Sequence, residues 1–332
     1  MIYLLIFIFI VAVFVLLLVL NSLYKRTNAY RNQFIDIGKF VNTANQKDGS
    51  FDVVVLGSNA PKFAFDFSDV SGLACGNWAI GPETFEYDFI ILKKFAGKLK
   101  CGATVIWPVC PGKFFLDKFK GKSEFVKYYD FLSPEEFPDY SRRQYITEYK
   151  YPLMFHPKRI IRLLKDAKLD TRLELDHNPM TNGEIEKDAS WWIYGCWNPE
   201  FDIDIENMAP LSEINRQAVE YNIKILKEAI KFCQQNSLEI IFTYLPLTKD
   251  LSYYFSSDYV EKQMTRYVNK AIEGHHILLV DYMRDKRFQN PNYYINSFFM
   301  NRTGARKFTT TFVEENIRKS IRSTVINGGF TE

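Results

Sequence analysis

The chain has 332 residues, a formal charge of +3, 47% hydrophobic residues and 24% charged residues. That balance is ordinary for a folded domain and lacks the basic bias of a nucleic-acid binder, so DNA and RNA are not expected partners. Cys75, Cys101, Cys110, Cys196 and Cys233 are odd in number and lack framework or paired-ligand spacing, so they are read as buried thiols that fix no redox compartment.

Ile2 to Leu20 contains no charged residue, Gly or Pro. At about 1.5 Å of rise per residue the run spans a hydrocarbon core of about 30 Å. It ends in Asn21-Ser22-Leu23-Tyr24-Lys25-Arg26 instead of a small-residue cleavage site. The expectation is an uncleaved single-pass anchor over 1–23, held in membrane lipid. Lys25, Arg26 and Arg31 follow it, and by the positive-inside rule these charges would leave the rest of the chain in the cytoplasm. Residues 24–50 are polar with scattered apolar positions, which predicts a helical stalk.

From residue 51 the pattern changes. Asp52 to Gly57 is a β-branched run ending in Gly, the mark of a buried parallel strand that delivers a loop at its carboxyl end. Phe85, Phe89, Leu92, Phe95 and Leu99 follow at helical spacing behind Pro82, and Cys101–Val109 reads as the next strand. Farther on, the pattern predicts a helix over Leu211–Gln235, a strand over Leu238–Leu245, a helix over Tyr259–Ile272, a strand over Ile277–Asp281 and a closing helix over Thr303–Ser320. Alternation of this kind predicts an α/β domain over 51–325, three layers with a parallel sheet between helices.

Residues of about 113–210 interrupt that alternation and are read as an insertion placed to roof the crevice at the carboxyl ends of the strands. Lys113–Lys127 interleaves lysines with phenylalanines, and is expected to be an exposed amphipathic loop sooner than a lipid-headgroup contact. Trp191, Trp192, Tyr194 and Trp197 suit either sugar stacking or a satellite core. Asp202, Asp204 and Glu206 would share one face of an extended segment, but the run lacks the turn Gly and bidentate spacing of a calcium loop. No metal and no cofactor is expected.

Three blocks in order resemble the SGNH (GDSL-like) hydrolase superfamily, especially its membrane-anchored members associated with acylation of surface polysaccharides. They are Val53-Val54-Val55-Leu56-Gly57-Ser58-Asn59-Ala60, then Asn77-Trp78-Ala79-Ile80-Gly81-Pro82, and Asn296 through Ala305. The resemblance implies an SGNH, flavodoxin-like fold and an exported domain, against the flanking charges. It implies ligand-side roles for Ser58, Asn59, Asn77, Gly81 and Asn301. In the family a serine nucleophile, a histidine base and an orienting aspartate act together, because a hydroxyl is a poor nucleophile until an imidazole takes its proton.

Here those three positions are Asn59, Phe299 and Asn296, none of which can perform the matching step. The expectation is therefore a degenerate relative that binds glycan or an acyl-transfer partner protein in surface-polysaccharide assembly. One alternative is a working esterase or O-acyltransferase with Ser58 as a displaced nucleophile and His177 as base; the bland reading of Ser58 is a turn hydroxyl. Another is a structural module whose insertion binds protein. His156, His275 and His276 are not placed like a base, and Asp281 suits a turn cap as well as a ligand.

Overall fold

The computed structural model describes residues 1–34, 36–116, 122–165 and 180–318. They divide into two compact units, 1–45 with 120–171 and 46–119 with 172–332. The segment read as an insertion thus contributes to both units.

The second unit is built on five parallel strands: β1 (Phe51–Val55), β2 (Cys75–Asn77), β3 (Leu99–Pro108), β4 (Glu239–Tyr244) and β5 (Leu278–Asp281). Their order, β2-β1-β3-β4-β5, is that of a doubly wound sheet that reverses direction between β1 and β3. The α/β class and the parallel sheet agree with the sequence pattern. β2 was not expected: Cys75-Gly76-Asn77 is three residues long and carries no β-branched side chain.

Register explains the burial of both faces. Val55 pairs with Ile106 and Ile106 with Ile241, so these side chains form one row across the sheet. That row packs beneath Phe308 and Phe312 of the Arg302–Val313 helix and Ala60 and Ala64 of the Asn59–Ala64 helix. On the opposite face stand Val54, Val105, Trp107, Ile240 and Phe242, in the same pleat by registry. There Phe85 lies 6.3 Å from Trp107 and Phe89 lies 5.8 Å from Phe232, which seats the Phe85–Phe95 and Glu213–Gln235 helices.

The long Glu213–Gln235 helix is an anchor for chain outside the sheet. Asn222 is fully buried and donates to the carbonyls of Phe114 at 2.9 Å and Leu116 at 3.3 Å. About two turns earlier, Asn215 donates to the carbonyls of Phe201 and Asp202 at 2.8 and 2.9 Å. Buried amides that satisfy loop carbonyls stabilise an irregular backbone that would otherwise lose its hydrogen bonds to water.

Three expectations need correction. Lys113, Phe114 and Phe115 are buried, as is Lys127, so Lys113–Lys127 does not begin and end as an exposed loop. Of the five cysteines only Cys233 is buried; Cys75, Cys110 and Cys196 are partly exposed, and Cys101 is exposed because it sits near the amino-terminal end of β3 away from the covered part of the strand. Asp202 has φ of 52° and ends the Asn198–Phe201 turn, so Asp202, Asp204 and Glu206 do not alternate along an extended segment. Asp204 instead accepts from the backbone and side-chain amides of Asn207 at 3.0 and 2.9 Å.

In the first unit, the amino-terminal helix spans Ile2–Arg26 and is long and apolar enough to cross a membrane. The following residues fold back on its carboxyl end: Tyr24, Tyr30 and Leu153 form a buried cluster with Leu20, Phe34 and Leu163 against it. Farther along, Glu148 joins Arg159 at 2.7 Å and His156 Nε2 at 2.5 Å. Burial works to raise the Glu148 pKa, but the bonds from Arg159 and His156 outweigh it and hold the carboxyl below its ordinary value of 4.5. A depressed carboxylate contributes stability that is complete above that ordinary value and is lost as pH falls through the lowered one. Thermal melts of wild type and Glu148→Gln should therefore separate near neutrality and converge only once the pH has fallen through that lowered value.

A buried ion pair lies under the sheet. Trp107 Nε1 donates to Asp88 Oδ2 at 2.8 Å, and the ammonium of Lys113 bonds the same oxygen with neither charged side chain exposed beyond 4%. Lys113 also stands 4.6 Å from the centre of the Phe85 ring. Removing one member leaves the other charge in the core, so Asp88→Ala should cost about 3–5 kcal/mol in chemical denaturation. The double variant Asp88→Asn/Lys113→Met should recover most of that loss, because no uncompensated charge remains.

Candidate functional site

The carboxyl ends of β1 and β2 bring the first two sequence blocks together. The amide of Trp78 donates to the Val55 carbonyl at 2.8 Å and the amide of Ile80 to the Gly57 carbonyl at 2.8 Å. Gly57 adopts φ of 117°, a conformation open to glycine, and turns the chain from β1 into the Asn59–Ala64 helix. Ser58 precedes that helix, and its Oγ accepts a hydrogen bond from the Glu83 amide at 3.1 Å. Ser58 and Asn59 are both partly exposed at this mouth.

Asn59 and Gly81 are in close contact. A Cβ placed on Gly81 would fall 1.8 Å from Asn59 Oδ1, so the amide of Asn59 rests over the Gly81 backbone. Asn77 is differently employed: its Nδ2 donates to the carbonyls of Lys62 at 3.2 Å and Phe65 at 2.8 Å, while its Oδ1 accepts from Ala79 at 3.1 Å. Asn77 therefore closes the end of the short helix. Asn301 caps the Arg302–Val313 helix, accepting from Gly304 at 2.9 Å and donating to the Asn292 carbonyl at 2.8 Å. Gly304 is needed there because a Cβ would lie 2.2 Å from the Tyr293 carbonyl oxygen.

The third block meets the Asn59–Ala64 helix, which begins in the first block, through aromatic rings. Phe299 stacks on Phe63 with centroids 4.9 Å apart and touches Trp192 at 5.6 Å. Phe298 lies 5.1 Å from Trp192 and 5.0 Å from Trp197. Asn296 Oδ1 accepts from the amides of Phe298 at 2.9 Å and Phe299 at 2.7 Å, so its side chain shapes the turn. Ser297 is fully buried, its hydroxyl and amide both donating to Asp188 Oδ2 at 2.5 and 2.9 Å, and its carbonyl accepting from Thr248 at 2.8 Å. Asp188 and Thr248 are site-supporting residues that sequence spacing does not reveal, since their partner is about 109 and 49 positions away.

These contacts define what the mouth can do. The position of the expected imidazole is an apolar ring wedged between other rings, which accepts no proton. His275 and His276 precede β5 and lie at the amino-terminal ends of the parallel strands, opposite to Ser58; His275 Nδ1 is 2.8 Å from Gln234. His156 is engaged by Glu148 in the first unit, and His177 lies outside the described residues. Asp281 accepts from the Met283 amide at 2.8 Å and acts as a turn cap.

Cys110, just past the end of β3, offers no substitute nucleophile. Burial pushes its thiol up to about 11 despite the nearby Lys113 charge, which keeps it protonated at neutral pH. Among the described residues, no cluster of three or more His, Cys, Asp or Glu is arranged for a metal ion.

The tryptophans differ in exposure. Trp197 is buried and Trp192 packs on Phe298 and Phe299, so both belong to the aromatic wedge. Trp191 is 55% exposed and Tyr194 51% exposed, while Tyr253 beyond them is 82% exposed. Trp191 meets Trp192 edge-on at 5.2 Å, and Tyr194 meets Tyr254 at 5.9 Å. Gly195 permits this surface, because a Cβ there would stand 2.7 Å from the Trp191 ring. The Glu206 carboxylate accepts the Tyr194 hydroxyl hydrogen and pushes that phenol up to about 12, so the ring stays neutral.

Close approach at Gly81 generates a direct test. Gly81→Ala should destabilise by about 1–3 kcal/mol through crowding against Asn59, and Asn59→Ala in the same chain should relieve most of it. A denaturation double-mutant cycle reads the coupling; independent effects would show that the contact is not tight. Comparison with protein-family models and with curated proteins finds no match, so function is argued from this geometry.

Proposed function

We propose that the chain is a membrane-anchored, catalytically degenerate relative of SGNH hydrolases that binds glycan, or an acyl-transfer partner, during surface-polysaccharide assembly. The doubly wound strand order and the convergence of the three blocks at the carboxyl ends of β1 and β2 support this reading. The observation that carries it is Phe299, the residue the resemblance aligns with the family's general base, which packs between Phe63 and Trp192 as an apolar ring. A hydroxyl at Ser58 then has no described imidazole to take its proton, and its oxygen serves the Glu83 amide.

Binding in place of turnover has a natural surface. Trp191, Tyr194 and Tyr253 are exposed apolar planes with polar rims, the chemistry that stacks on the hydrogen-bearing faces of sugar rings. The amino-terminal helix would tether the chain to the membrane, with the rest of the chain on the exported side, where newly made surface glycan is presented.

The full chain in detergent should give no labelling of Ser58 by a fluorophosphonate probe, in a sample whose folding is verified by a cooperative melt. Labelling at Ser58 would identify an active esterase and sink the degenerate reading. Intrinsic fluorescence should change on titration with hexose or N-acetylhexosamine oligosaccharides. Trp191→Ala should then weaken the best ligand about fivefold, equivalent to about 1 kcal/mol from one lost ring stack.

A further inference from the structure

The carboxyl end of the amino-terminal helix fixes the height of a second segment. Ile2–Leu20 advances about 28 Å at about 1.5 Å per residue, close to a hydrocarbon thickness of about 30 Å. Leu20 and Asn21 thus fall at the boundary between acyl chains and headgroups when the helix crosses a bilayer. At that level Asn21 is only 5% exposed, donating to the Lys150 carbonyl at 3.1 Å and accepting from the Leu153 amide at 3.0 Å. Hydrogen bonds of this length place the backbone of 150–153 beside Asn21, at the same depth.

The chain that follows is amphipathic. Leu153 and Leu163 turn toward Tyr24 and Leu20, while Phe155, Ile160 and Ile161 are 52%, 43% and 58% exposed. Residues 152–165 contain no Asp or Glu, and carry Lys158, Arg159, Arg162 and Lys165. Arg159 is drawn back to Glu148, which leaves Lys158, Arg162 and Lys165 on the exposed surface. The Pro157–Ile160 and Ile161–Leu164 turns hold these apolar and basic side chains on a short, continuous helical path.

We infer that residues 152–165 form an interfacial lipid contact: Phe155, Ile160 and Ile161 enter the acyl boundary beside the anchor, and Lys158, Arg162 and Lys165 meet the phosphates of acidic phospholipids. The inference rests on the membrane-spanning reading of Ile2–Arg26. Three exposed large apolar side chains in water would lose the burial free energy that the neighbouring bilayer offers. Their basic flank matches an anionic headgroup layer, and the hydrogen bonds to Asn21 make this surface continuous with the spanning helix. A protein partner would need the same apolar face, but the depth set by Asn21 puts lipid there first.

The full chain is reconstituted into vesicles containing phosphatidylglycerol, with a fluorescent amino acid replacing Ile161 in one sample and Val11 in another. Lipids brominated at shallow or deep acyl positions serve as quenchers. Both probes should be quenched, Ile161 most by shallow bromines and Val11 most by deep ones. Quenching at Val11 without quenching at Ile161 overturns the inference and leaves the anchor intact; no quenching at Val11 shows instead that the anchor reading has failed. The triple variant Lys158→Gln/Arg162→Gln/Lys165→Gln should lose most of the Ile161 quenching while Val11 is unchanged. Equal Ile161 quenching in vesicles of phosphatidylcholine alone would overturn the assigned preference for acidic headgroups.

Discussion

A parallel sheet has no face that tolerates water, and the second unit is organised by the need to cover both. The Val55–Ile106–Ile241 row and the Trp107–Phe242 row stand back to back, and helices close over each. Those helices must return the chain to the same end of the sheet for every new strand. Loops that carry side chains of possible functional use therefore collect at the carboxyl ends, where Gly57, Ser58, Asn59 and Gly81 meet.

At this mouth packing dominates over charge. A catalytic imidazole needs a polar partner and room to move a proton, whereas Phe299 is stacked, and the turn that carries it is tied down by Asn296, Asp188 and Thr248. Such a rigid apolar support is suited to presenting a surface. The exposed ring of Trp191 continues outward from the wedge through Trp192, and Tyr194 rests against Tyr254, so the aromatic interior also holds Trp191 in place.

Much of the fold was legible because local patterns and tertiary demands agree. Val53–Val55 reads as a buried strand and is one; the Glu213–Gln235 and Arg302–Val313 helices were expected from periodicity and carry buried apolar faces. Cys75–Asn77 escaped because three residues give no period, and its pairing with β1 depends on a neighbour distant in sequence. That Asn59, Asn296 and Phe299 cannot supply a nucleophile, an orienting carboxylate and a base was visible from residue identity. The employment of Asn77 and Asn301 on backbone groups was not, since an asparagine bound to a carbonyl and one waiting for a ligand read alike in sequence. Lys113 was misjudged for a similar reason: its charge suggests solvent until Asp88, 25 residues earlier, is seen beneath it.

The brevity of the outermost strands has a consequence for how the molecule behaves in company. β2 offers three residues along one margin of the sheet and β5 four along the other, so each unpaired row of amides and carbonyls is short. A neighbouring chain that added itself as a sixth strand would gain few ladder bonds for the order it lost. For copies crowded into two dimensions by membrane insertion of the apolar helix, such blunt margins would keep one sheet from templating the next.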